Sequence, residues 1–140
     1  MKIEKLKYSE LKEYKRLIDK SFENSSGISK YKKMYNQDKN YEILVAKKDN
    51  KIIGSLTILK IDLFTFDFQP MLELFNVCVD SSYRENKVGT KLIKYVVDFA
   101  KKERYNSIAL TCLENLPYIH SFYENVGFKK ADSRKYMMEI

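Results

Sequence analysis

The stretch ELFNVCVDSSYRENKVGT, residues 73–90, constrains this 140-residue chain more than any other. An apolar run of strand character passes into a short polar loop that holds Arg84 and Gly89. A long amphipathic helix follows at once. Val88, Leu92, Val96 and Phe99 form one stripe, Ile93, Val97 and Ala100 lie beside it, and Lys91, Lys94, Asp98 and Lys101 fill the solvated face. This layout places free backbone N–H groups and a helix N-terminus at the end of a strand. Such a place holds a phosphate-bearing ligand through main-chain atoms.

Around that unit, punctuation is sparse: four Gly and two Pro in the whole chain. Residues 2–7 alternate and predict a short edge strand. Ser9 suits an N-cap, and Leu11, Tyr14, Leu17, Ile18 and Phe22 then fall on one helical face. Asn24 to Gly27 breaks that helix, and a short second helix is expected over 30–35. Tyr41 to Lys47 and Ile52 to Ile61 read as a hairpin turning at Asp49–Asn50. The segment DLFTFDFQP, 62–70, reads as a loop or strand extension whose phenylalanines either line a pocket or cap the core. Leu72 to Val79 and Ser107 to Leu113 are strands. Pro117 suits the first turn of a helix and Gly127 its C′ position. Phe128 to Ala131 and Lys135 to Ile140 are expected to close the sheet. The result is a mixed α/β sheet, antiparallel early, with a parallel pair across 72–113 and a right-handed crossover.

Composition narrows the class. Apolar residues make up 44%, which excludes disorder. The chain is one domain, 1–140, by length. No run is long enough to cross a bilayer, and MKIEKLKY lacks the apolar core of a secretory signal, so a cytoplasmic location is expected. The net charge is +7, yet only four of 26 basic residues are arginine. Readers of nucleic acid favour arginine forks. The joint excess of Lys, Asn, Ile and Tyr fits a genomic compositional bias, so nucleic acid is not an expected partner. The positive field still steers an anionic cofactor inward. A single histidine, His120, cannot build a histidine-rich metal centre, and no metal is expected. Cys78 and Cys112 lack metal or redox spacing and read as buried thiols.

Three blocks resemble the GNAT family of N-acetyltransferases. Its phosphate loop usually reads R/Q-x-x-G-x-G/A, and the matching run here is Arg84-Glu85-Asn86-Lys87-Val88-Gly89-Thr90. The last glycine is present. Lys87 stands where the first belongs, and if that position needs φ > 0 it costs roughly 1 kcal/mol. The preceding strand, Glu73 to Asp80, is similar to the family's central strand. The resemblance implies a bulge there and a splay from the next strand. Backbone groups of Val77, Cys78 and Val79 would then hold the pantetheine arm and polarise the thioester carbonyl. The third block, Ser121 to Phe128, matches x-F-Y-E-x-x-G-F. It implies that Phe122 lines the cofactor site and that Tyr123 is the general acid for the departing thiolate; the alternative is that Tyr123 is core packing. Relatives often place an asparagine before this helix against the pantetheine. The count back from Tyr123 falls on Leu116, which leaves Asn115 as the candidate.

The resemblance thus implies an acyl-CoA N-acyltransferase-like fold, with six to seven strands flanked by about four helices. It implies acetyl-CoA as cosubstrate, a small-molecule amine or protein amino group as acceptor, and a possible homodimer. A general base is needed because an alkylammonium is protonated near neutral pH. Glu73 is the candidate; its alternative is a solvated strand carboxylate. By period two Glu73 shares a face with Phe75 and Val77. Direct attack is favoured over a route through Cys78 or Cys112, since neither has an evident activating partner in the sequence. His120, one turn before Tyr123, either lines the cleft or sits on the helix surface. A second reading of the whole is a non-catalytic acyl-CoA-binding sensor.

Overall fold

The computed structural model describes residues 1–37, 40–62 and 70–140. Residues 63–69 of the 62–70 segment lie outside the described residues, and with them Phe64, Phe66 and Phe68, expected either to line a pocket or to cap the core. Five strands are present among those described: β1 (Lys2–Lys5), β2 (Tyr41–Lys48), β3 (Lys51–Ile61), β4 (Met71–Val79) and β5 (Ile108–Leu110). Four α-helices accompany them: α1 (Leu11–Phe22), α2 (Ile28–Tyr35), α3 (Val88–Lys102) and α4 (Pro117–Asn125). Short 3-10 turns cover Tyr8–Glu10 and Ser81–Asn86.

The sheet runs β1-β2-β3-β4-β5, antiparallel throughout except for the parallel β4–β5 pair, which α3 connects. The β2–β3 hairpin turns through Asp49 and Asn50 at φ 51° and 64°. Two successive positive φ values make the turn whose twist matches the strands it joins.

Side chains alternate across the sheet and divide the core in two. Ile43, Val45 and Ile52 pack against Leu11, Tyr14 and Leu17 of α1 and Tyr31 of α2. Leu44, Ala46, Ile53, Leu56, Ile58, Leu72 and Leu74 pack against Val88, Leu92, Ile93, Val96 and Ala100 of α3. Phe122, Tyr123 and Val126 of α4 join that second face.

Four expectations are corrected. Ser9 does not cap α1: it lies in the 3-10 turn, and the Glu10 carboxylate accepts the Lys7 N–H at 3.0 Å. Phe22 is 46% exposed, because α1 ends there and a left-handed Glu23 turns the chain. The strand expected over 107–113 shortens to three residues. Its partner β4 pairs with it only from Leu72 to Leu74 before it bulges away. The two closing strands do not form, so five strands stand among the described residues where six to seven were expected. Residues 129–140 are exposed and unpaired to the sheet, with Tyr136 at 84% and Met138 at 84%. Alternation in a tail makes a strand only where a ladder partner takes it up.

Candidate functional site

The site begins with an irregularity in β4. Opposite β3, Ser55 faces Cys78 and Thr57 faces Phe75. Two residues of β4, Asn76 and Val77, therefore stand against Leu56 alone. This is a β-bulge, and Asn76 adopts φ 52° to make it. The extra residue reverses the faces. Leu72 and Leu74 point to the α3 side before the bulge, and Val77 and Val79 point there after it, while Cys78 joins the α1 side. Glu73 and Val77 thus lie on opposite faces, not on the shared face that simple alternation implies. Past Leu74, β4 keeps β3 on one edge and has no ladder to β5 on the other. Alternate backbone groups along Phe75–Val79 face that opening.

The chain then turns tightly into α3. Asp80 caps the turn: its Oδ1 accepts the Ser82 N–H at 3.0 Å. Its backbone N–H donates to the Ile53 carbonyl at 2.8 Å. Arg16 of α1 donates from Nη1 to Asp80 Oδ2 at 3.2 Å and from Nη2 to the Ile52 carbonyl at 2.9 Å. Lys20 and Lys51 lie 3.7 and 3.8 Å from the same carboxylate. Burial pushes the Asp80 carboxyl up, but the Ser82 N–H, Arg16 and the two lysines together outweigh it and hold the group below its ordinary range.

Lys87 closes the turn at φ 56°, ψ 33°, the left-handed conformation that glycine adopts without cost. The first helical bond of α3 runs from the Lys91 N–H to the Lys87 carbonyl at 3.0 Å. The amides of Val88, Gly89 and Thr90 precede it and have no carbonyl inside the helix to reach. They carry the positive end of a four-turn helix. Arg84, Glu85, Asn86, Lys87 and Thr90 are exposed around them, whereas the Val88 side chain is in the core. Val88 can therefore act only through its backbone.

Two glycines set how closely α3 approaches. A Cβ on Gly54 would stand 2.7 Å from Val88 Cγ1 and 3.2 Å from Leu92 Cδ1, so β3 makes room for the helix start. A Cβ on Gly89 would stand 3.1 Å from Phe122 Cζ and 3.7 Å from Val79 Cγ2. Phe122 thereby brings α4 against the N-terminus of α3.

At the far end of α4 the Gly127 N–H donates to the Glu124 carbonyl at 3.1 Å, and the Phe128 N–H to the Tyr123 carbonyl at 3.0 Å. With Gly127 at φ 109° this is the paired closure that often ends a helix at glycine. It folds Phe128 back onto Tyr123, ring centroids 5.7 Å apart, while Phe122 packs edge-on at 5.1 Å. Burial first, and the neighbouring Cys112 second, push the Tyr123 hydroxyl up to about 12.

Residues 11–128 match the family described as "Acetyltransferase (GNAT) family". The chain belongs to that family. It is 31% identical to the Xenopus tropicalis protein "Probable N-acetyltransferase camello" over 99 residues, 71% of this chain and 43% of that one. This chain thus spans less than half of that relative's length. Among solved structures, a ribosomal-protein-alanine N-acetyltransferase from Brucella melitensis biovar Abortus 2308 superposes with a TM-score of 0.86 at 17% identity, over 100% of both chains. Glucosamine-6-phosphate N-acetyltransferase from Arabidopsis thaliana does so with a TM-score of 0.84 at 19% identity, over 98% of this chain and 97% of that one. These two likenesses show the fold.

Membership in the GNAT family implies acetyl-CoA as cosubstrate, and the residues present suit it. Three first-turn amides and the exposed cations Arg84 and Lys87 can meet a diphosphate, and the open edge of bulged β4 can meet an extended amide-bearing arm. Glu73 stands on the last rungs before the opening, opposite Leu59 and Ala109, half-buried on the face away from α3. Asn115 is exposed just before Leu116, which caps α4. Cys78 is half-buried against the α1-side core, not the fully buried thiol expected, and burial pushes its thiol up to about 11. Cys112 does have a partner: its Sγ lies 3.5 Å from His120 Nδ1. His120 thus faces Cys112 and is not a free surface side chain. Among the described residues no three His, Cys, Asp or Glu side chains converge to hold a metal ion, and no helix is long and apolar enough to cross a membrane.

Sequence reasoning missed Asp80 and Gly54. The only local sign of Asp80 was an acidic residue two before a serine ahead of a helix, a common capping pattern. Gly54 lies inside a strand, where an isolated glycine signals a close backbone approach.

Proposed function

We propose that this protein transfers an acetyl group from acetyl-CoA to a primary amine by direct attack. The observation that carries the reading is the seating of α4 on α3: Phe122 against Gly89 puts Tyr123 beside the helix start that would hold the diphosphate. Bound acetyl-CoA supplies the activated thioester carbonyl.

The chain's own residues do the rest. The amides of Val88, Gly89 and Thr90, with Arg84 and Lys87, hold the diphosphate. Glu85 and Asn86 border it. Backbone groups of Val77, Cys78 and Val79 orient the pantetheine arm, with Asn115 and Phe122 at its other side. One N–H of that strand meets the oxyanion, a contribution of about 3 kcal/mol. Glu73 accepts, through water, the proton that the acceptor ammonium loses so that its amine can attack. Fixing both reactants in one cleft supplies much of the remaining acceleration.

Tyr123 acts at the departing sulfur. Complete transfer from a phenol at about 12 to a thiolate of ordinary pKa near 8.5 is uphill by about 5 kcal/mol. The hydroxyl therefore serves as a hydrogen-bond donor to the developing thiolate, and solvent completes the protonation. The acceptor is a small-molecule amine or a protein amino group.

The test is steady-state release of free CoA thiol from acetyl-CoA over a panel of amino sugars, polyamines and peptide N-termini, beside calorimetry of acetyl-CoA binding. Amine-dependent release supports the reading. Binding without release across the panel would favour the acyl-CoA sensor.

A further inference from the structure

Beyond β5, past the last rung it shares with β4, the chain carries Cys112 into the same region as Tyr123. His120, on the inner turn of α4, faces it. His120 Nε2 lies 3.0 Å from the Glu114 carbonyl oxygen, and Nδ1 lies 3.5 Å from Cys112 Sγ. A carbonyl only accepts, so Nε2 carries the proton in that bond. In the neutral ring Nδ1 is then bare and accepts from the thiol. A thiol, a base within hydrogen-bond reach and a third group that orients the base make up an activated nucleophile. Both side chains are half-buried, open enough to be reached and enclosed enough to be held. Cys78, equally half-buried, has no imidazole against it, only the Ser21 hydroxyl and the Ser55 backbone.

We propose that Cys112, with His120 as its base, is a nucleophilic thiol that takes an acyl group from an acyl thioester onto its own sulfur. The inference rests on the acetyltransferase reading for its donor. Sγ passes its proton to His120 Nδ1 and bonds to the acyl carbonyl carbon. The bond from that carbon to the donor sulfur breaks, and Nδ1–H returns the proton to the leaving sulfur. One thioester and one thiol replace one thiol and one thioester, so no further reactant is required. The acyl-cysteine beside Tyr123 would give the site a second way to hold an activated acetyl group, open to an amine after CoA has left.

The experiment incubates the intact protein with acetyl-CoA and no amine, then measures its mass and maps the modified peptide. One added acetyl group on Cys112, removed by neutral hydroxylamine and absent from Cys112→Ala, is the expected result. His120→Ala should slow the labelling by about a hundredfold, the scale of a general base. It should likewise slow alkylation of Cys112 by iodoacetamide, which needs no cofactor site. His120→Gln, closer in shape, repeats both measurements if the alanine variant misfolds. No adduct from acetyl-CoA that does bind, an adduct on another residue, or unchanged rates in both His120 variants would overturn the proposal. Calorimetry separates the two readings: heat with acetyl-CoA and no adduct rejects the thiol alone. No heat rejects the acetyl-CoA reading, and p-nitrophenyl acetate, an acyl donor that needs no CoA site, then decides whether Cys112 is nucleophilic.

Discussion

The ring of Phe122 occupies the space that a side chain on residue 89 would need: a Cβ there would stand 3.1 Å from its Cζ. The glycine therefore lets the Phe122 ring pack close against the start of α3. Gly89→Ala should force the ring aside and cost about 1–3 kcal/mol, as overpacking does. Urea denaturation reads that loss. Calorimetry with acetyl-CoA should show weakened binding in the same variant, because Phe122 seats α4 on the helix start. Unchanged stability and unchanged affinity together would mean that α4 is placed by other contacts.

Asp80 joins α1 to the turn before α3. Its carboxyl is buried and accepts from Arg16 and from the Ser82 N–H. Asp80→Asn removes the charge and leaves Arg16 facing a neutral amide. Losing a charged hydrogen-bond partner costs about 1–3 kcal/mol, and Arg16's partial exposure keeps it within that range. The pH sign follows from the lowered pKa. The carboxylate's contribution is fully present above the unfolded-state pKa, about 3.9, and is lost as pH falls through the lower folded value. Acid denaturation of wild type should therefore steepen below that point, and Asp80→Asn should lack this component. Superimposable acid limbs would remove Asp80 from this role.

Tyr123→Phe separates two strengths of catalysis. A hydrogen bond to a charged sulfur contributes about 1.5–3 kcal/mol, so turnover should fall by roughly tenfold to a hundredfold with acetyl-CoA affinity nearly unchanged. A loss of several thousandfold would instead indicate complete proton transfer, and no loss would leave Tyr123 as packing alone. Because burial holds the hydroxyl at about 12, its protonation should not limit turnover between neutral pH and about pH 10. A tyrosinate difference titration of wild type against Tyr123→Phe checks that value directly.

Lys87 adopts the left-handed conformation at the join of the 3-10 turn and α3. Lys87→Gly should relieve about 1 kcal/mol of backbone strain and raise the denaturation midpoint. If the exposed ammonium helps hold a diphosphate, the same variant should bind acetyl-CoA more weakly, with a shallower salt dependence. A more stable protein with unaltered binding would assign Lys87 no contact with the ligand.

What could be read from sequence followed the range of the signals. The α3 stripe from Val88 to Ala100 repeats on a helical period, and the Asp49–Asn50 turn and the Gly127 stop are each decided within a few residues. The family resemblance implied a bulge in β4, but nothing local marked its place at Asn76–Val77. The run is apolar on both sides of it, so alternation carried Val77 to the wrong face. Contacts between distant residues were equally hidden: Arg16 on Asp80, Phe122 on Gly89, and Cys112 on His120 all depend on how elements meet. The closing strands failed for the reverse reason. Tyr136, Met138 and Ile140 alternate as a strand would, but a strand needs a neighbouring ladder to exist. For the candidate site, the motif pointed to the backbone near 77–79 and 88–90, whereas no motif pointed to Asp80 and Gly54, which position it.

Gly54 supports the start of α3 from beneath. A methyl group there would stand 2.7 Å from Val88 Cγ1, 3.2 Å from Leu92 Cδ1 and 3.3 Å from the Cys78 carbonyl oxygen. The last of these is backbone, so the helix must move to make room. Gly54→Ala should cost about 1–3 kcal/mol and tilt the amides of Val88, Gly89 and Thr90 away from β4. Positioning errors of this kind weaken catalysis out of proportion to stability. The variant should therefore lose acetyl-CoA affinity and turnover at temperatures where circular dichroism still shows it fully folded. A paired Val88→Ala change, which removes the closest methyl groups, should restore part of the binding. If Gly54→Ala binds acetyl-CoA as tightly as wild type, the helix start does not form the diphosphate site.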